Sequence, residues 1–97
     1  MKKIDLNKSV LGLDGVEIKE NGKIVTMGYA LGNFLVGANK GEALKYYDWA
    51  VALHNGKTIT LDGSDFKKIY SFVEDHDQLT ILVKAQILKE LDKATEE

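Results

Sequence analysis

The stretch Asn39-Lys-Gly-Glu-Ala-Leu-Lys-Tyr-Tyr-Asp-Trp-Ala-Val-Ala-Leu-His-Asn-Gly56 decides the fold class. Asn39 is placed to cap a helix, with Glu42 where the second member of a capping box belongs. Asn55-Gly56 supplies the left-handed residue that ends one. At about 100° per residue, Leu44, Tyr47 and Val51 form one apolar stripe, and Tyr46, Ala50 and Leu53 a second beside it. Lys45, Asp48 and Ala52, with Glu42 at the edge, leave only a narrow polar face. Two stripes predict two neighbours, so this segment reads as a central helix lying between other elements. Trp49 falls at the border of the apolar and wet faces. A Trp there is either a core residue with one edge in water or the anchor of a protein contact, since Trp and Tyr dominate binding hot spots.

Thr26 is placed to cap the preceding helix, in which Met27, Ala30, Leu31, Phe34, Leu35 and Ala38 share a face. The opposite face holds Gly28 and Gly32, four residues apart, and Gly37. Each interior Gly costs about 0.8–1 kcal/mol against Ala, so the pair reads as a place where another backbone comes close, within this chain or from another. Upstream, Ile4 and Leu6 alternate as in a strand. Asp14-Gly15, flanked by Leu11, Leu13, Val16 and Ile18, reads as a β-hairpin, with a second turn signal at Asn21-Gly22.

Downstream, the β-branched run Lys57–Leu61 reads as a further strand of the small sheet. Asp62 or Ser64 is placed to cap a helix carrying Phe66, Ile69, Tyr70 and Val73, which breaks at Asp75-His76-Asp77. A last helix runs from Gln78 to about Lys93, with Leu79, Ile81, Leu82 and Val83 deeply packed and Lys84 snorkelling from an apolar stripe. The expectation is an α+β, mainly α domain: about four helices packed around the central helix at about 40–54, with a small N-terminal β-hairpin. It spans residues 1–93, and 94–97 form a frayed tail.

The 97 residues suffice for one domain, which buries roughly 65% of its unfolded surface. With 44% apolar and 29% charged residues the composition is that of a water-soluble globule. There is no Cys, hence no disulfide framework or thiolate chemistry. Met1-Lys-Lys-Ile-Asp5 does not open a signal peptide, and the longest apolar run, Trp49 to Leu53, is far short of a membrane span. A net charge of -2 with both signs scattered argues against nucleic acid as a partner.

No constellation reads as a reaction centre. Glu74-Asp-His-Asp77 is the densest set of potential metal ligands, but four consecutive positions cannot converge on one ion. His54, at a helix C-terminus, has a structural role by default. Ser9, Ser64 and Ser71 lack any local nucleophile signature, and no Gly pattern matches a dinucleotide or phosphate loop. Lys67-Lys68 is a short basic pair among acids. The expectation is a non-enzyme without metal or cofactor. Its partner is another protein, or a second copy, met through Trp49, Tyr46, Lys45, Gly28 and Gly32; the alternative is a nucleic-acid-binding regulator.

Tyr47-Asp-Trp-Ala50, Asn55-Gly56, Leu61-Asp-Gly-Ser-Asp-Phe66, Leu79-Thr-Ile-Leu-Val-Lys-Ala-Gln-Ile-Leu88 and the N-terminal Leu13-Asp-Gly15 together resemble small uncharacterised proteins encoded by tailed bacteriophages and prophages. The resemblance covers nearly the whole chain and implies expression in the cytoplasm of a bacterial host. It implies a tail-assembly helper, a host-factor inhibitor or a regulator, and brings over no catalytic residue.

Overall fold

The computed structural model describes residues 1–96. Among these residues the chain forms β1 (Lys2–Ile4), β2 (Lys19–Glu20), β3 (Lys23–Ile24), α1 (Met27–Val36), α2 (Ala43–His54), β4 (Ile59–Leu61), α3 (Gly63–Asp75), α4 (Ile81–Asp92) and β5 (Thr95–Glu96). The α+β class with four helices and an N-terminal hairpin is the one the sequence predicts. The β1 strand is the middle of a three-stranded antiparallel sheet in the order β4-β1-β5. It pairs Ile4 with Ile59 on one side and Lys3 with Thr95 on the other. Lys57–Leu61 therefore does supply a strand, but beside β1 rather than beside the hairpin.

The expected frayed tail is partly ordered. Thr95 and Glu96 complete the sheet, because β1 offers them an open edge; Glu97 lies outside the described residues. The regular hairpin ladder forms at the second turn signal. Asn21 and Gly22 both have positive φ, at 53° and 80°, the conformation that a two-residue hairpin turn requires. Asp14-Gly15 also turns the chain, but as part of a wider loop. There the Gly15 N–H donates to the Gly12 carbonyl at 3.0 Å, and only Leu11 and Glu17 pair across it. Its apolar residues are not core: Leu13 is 99% exposed and Val16 62%.

Capping chemistry places α1 firmly. Thr26 Oγ1 accepts the Tyr29 N–H at 3.0 Å, and the Lys8 and Leu6 carbonyls accept the N–H groups of Met27 and Gly28, both at 2.8 Å. The first turn is thus fully satisfied by the N-terminal segment. Gly28 and Gly32 then bring α1 against α2. A Cβ on Gly28 would stand 2.8 Å from the Leu53 carbonyl oxygen, and one on Gly32 would stand 3.2 Å from that of Ala50. The close neighbour is inside this chain.

At its far end α2 closes with a Schellman motif. Lys57 N–H donates to the Ala52 carbonyl at 2.9 Å and Gly56 N–H to that of Leu53 at 3.1 Å, with Gly56 at φ +73°. The expected capping box at its start does not form. Gly41, at φ +117°, turns the chain before Glu42, and the Glu42 carboxylate bonds lysines instead of the backbone. Asp62 caps α3, accepting the Asp65 N–H at 2.7 Å. Thr80 caps α4, which starts later than expected, and Ile81 is 84% exposed rather than deeply packed. Lys84 reaches across to donate to the Glu74 carbonyl at 3.0 Å, in the last turn of α3.

The core runs through Ile4, Leu6, Leu31, Leu53, Ile69 and Ile87, each 2% exposed or less. The N-terminal arm is pinned to α4 by two polar contacts. Gln86 brackets the Leu11 peptide, accepting its N–H at 2.9 Å and donating to its carbonyl at 2.6 Å. Lys8 pairs with Glu90, holding that carboxyl below its usual range, with Lys93 adding to the effect.

Two outcomes follow. In an exposed helix Gly→Ala gains about 1 kcal/mol, yet Gly28→Ala is expected to lose about 1–3 kcal/mol in urea unfolding because backbone must move. A net stabilisation would mean that the helices stand farther apart. Glu90 is depressed in the folded state, so its contribution is complete above the unfolded carboxylate pKa of about 4.3 and is lost as pH falls through the lower folded value. Glu90→Gln should therefore be less stable than wild type at pH 7 and converge on it in acid; parallel stability curves would remove the ion pair from the account.

Candidate functional site

Pressing α1 onto α2 fixes which side of α2 is wet. Ala50 and Leu53, of the second predicted stripe, are buried, and Tyr46 is half-buried. Trp49 is buried with them at 9% exposure, packed against Tyr46 at a ring distance of 5.8 Å. The other stripe faces solvent: Leu44 is 82% exposed, Tyr47 60% and Val51 42%. This corrects the expectation of neighbours on both stripes. Among the other helices α2 packs chiefly on α1, so its far side has no element to cover it.

The exposed stripe is continuous with α1. Val36, also exposed, lines a shallow groove with Leu44, Tyr47 and Lys40, and a second small groove with Val51 and His54. Tyr29 extends the surface by packing on the His54 ring at 5.7 Å. The floor between the helices is made by Gly32 and Ala50, so the surface is broad and low. Its largest side chains are apolar or aromatic, and none of Val36, Leu44, Tyr47 and Val51 meets a core neighbour large enough to cover it.

The five residues expected to meet a partner are placed differently. Trp49 is core. Gly28 and Gly32 are buried under Leu53 and Ala50. The Tyr46 ring lies over Gly41 and edge-on to Phe72 at 5.6 Å. Lys45 bonds Asp65 at 2.9 Å and Glu42 at 3.3 Å, and Lys68 bonds Glu42 at 2.7 Å. This network ties the starts of α2 and α3 together. Lys68 and then Lys45 draw the Glu42 carboxyl down, and Asp65 and then Glu42 push Lys45 up. Two cations, Lys45 and Lys68, meet two anions, so the charge of Lys68 is balanced within the chain.

The candidate chemical groups are dispersed. His76 ends α3, its Nδ1 accepting the Gln78 N–H at 3.2 Å and its ring set edge-on to Phe34 at 4.7 Å. The Glu74-to-Asp77 segment gathers no group of three potential ligands, and none occurs elsewhere among the described residues. Ser9 bonds Glu17 rather than an imidazole. No helix among the described residues is long and apolar enough to cross a membrane. No protein-family model, curated protein or solved structure matches this chain.

Helical periodicity picks out the stripe of Leu44, Tyr47 and Val51 but does not tell its outward direction from an inward one. The signal that would have turned it outward is the glycine pair: only one side of α2 can lie against Gly28 and Gly32. Leu44→Asp should therefore leave stability within about 0.5 kcal/mol of wild type, as a surface change does. Trp49→Ala should cost about 3–5 kcal/mol. Equal losses for the two variants would mean that both sides of α2 are covered.

Proposed function

We propose that the chain is a small non-catalytic protein–protein interaction module, and that it docks through the outer face of α1 and α2. The observation that supports this is the exposed Leu44, Tyr47, Val51 and Val36 surface, which carries both aromatic and aliphatic groups. Tyr is enriched at protein interfaces because a large rigid ring buries much area while its hydroxyl tolerates water. A continuous apolar patch of a few hundred Å² on a small protein marks such sites. The resemblance to small phage and prophage proteins fits this role, as an assembly helper or host-factor modulator in the bacterial cytoplasm. The nucleic-acid alternative has lost its main motive, because Lys68 is held by Glu42 and Asp65.

The test is affinity capture from a bacterial lysate, with immobilised wild type beside the Leu44→Asp and Tyr47→Asp variants. Wild type should retain a defined set of proteins, and each variant should lose them by about tenfold or more while keeping its circular dichroism. Equal retention of the captured proteins by all three would refute docking of another protein through this face.

A further inference from the structure

We infer that the occupant of this face is a second copy of the chain, in a two-fold contact that sets Lys40 of each copy against Asp48 of the other. The inference rests on the docking role proposed above and names its partner.

Area is the first support. Tyr29, Val36, Leu44, Tyr47 and Val51 are each between 38% and 82% exposed. Together they offer roughly 400–500 Å² of apolar surface, which is the apolar share of the ~800 Å² that each side of a standard interface buries. No further chain segment is needed to make a contact of stable size.

Charge is the second support. Lys45, Lys68, Glu42 and Asp65 neutralise one another within the chain. Lys40 and Asp48 are exposed, and neither has an ion pair among the described residues. Lys40 borders the groove with Leu44 and Tyr47. Asp48 lies one turn beyond Leu44 on α2, about 40° around the helix from it. Lys40 stands in the loop ahead of Leu44, before Gly41 turns the chain into α2, and Asp48 follows Leu44 on the helix itself. A two-fold axis that ran between them near Leu44 would bring each cation to the other copy's anion, with the leucines in contact between them. Such a patch is complementary to itself, as an isologous interface requires. With one charge of each sign it offers nothing to a strongly acidic or basic partner.

The experiment is analytical ultracentrifugation of the whole chain from low to high micromolar concentration. Wild type should pass from monomer to dimer, and Leu44→Asp should stay monomeric with unchanged circular dichroism. Lys40→Glu and Asp48→Lys should each weaken dimerisation by about tenfold, since every single reversal turns two attractions into repulsions. The double reversal should return to within about threefold of wild type. A wild-type monomer throughout, or a dimer indifferent to Leu44→Asp, would overturn the inference. So would a double reversal no better than the singles. If wild type stays monomeric while Leu44→Asp still loses its lysate partners, the second copy is wrong and the docking face survives. If both measurements fail, the docking role falls as well.

Discussion

The contact on which the rest depends is the approach of α1 to α2 at Gly28 and Gly32. With no side chain between them, the carbonyls of Leu53 and Ala50 lie within van der Waals reach of the α1 backbone. Three consequences follow from that single constraint. It holds α2 in one rotation, with Trp49, Ala50 and Leu53 turned in. It leaves the arc of Leu44, Tyr47 and Val51 with no helix to cover it. It also explains two glycines that would otherwise weaken α1, since each interior Gly costs about as much as a good cap contributes. The gain is packing that no larger residue permits.

The N-terminal segment does the second part of the organising. It enters as the middle strand of the sheet and then lends the Leu6 and Lys8 carbonyls to the first turn of α1. Next it runs along α4, where Gln86 takes both hydrogen bonds of the Leu11 peptide as a neighbouring strand would. Residues far apart in the chain are thus joined mainly through backbone groups. Such contacts write no pattern into side-chain periodicity, so the pairing of β1 with β4 and β5 could not be read from the residues. Gln86 was equally silent: a lone Gln between apolar neighbours looks like a surface residue.

Local chemistry was the legible part. The Thr26 and Asp62 caps, the Asn55-Gly56 stop and the break near His76 each depend on a few adjacent residues, and each was recoverable from them. Asn39 with Glu42 shows where that logic ends. The spacing was correct, but Lys68 and Lys45 compete for the carboxylate and Gly41 redirects the chain. The docking face was half legible. Periodicity defined its stripe, yet whether a stripe points inward depends on how much neighbouring structure exists to cover it. That quantity belongs to the whole fold. The same holds for Trp49, whose residue type suggested an anchor and whose position makes it core.

Function, on this account, follows from geometry more than from chemistry. The imidazoles serve at helix ends, the charges near the start of α2 cancel, and the largest unsatisfied feature is apolar. All of this hinges on which side of α2 meets α1. A nuclear Overhauser spectrum of the labelled chain measures that directly. The account predicts strong cross-peaks from the Gly32 α-protons to the α-proton of Ala50. Their absence, with Gly32 instead meeting Leu44 or Asp48, would contradict it.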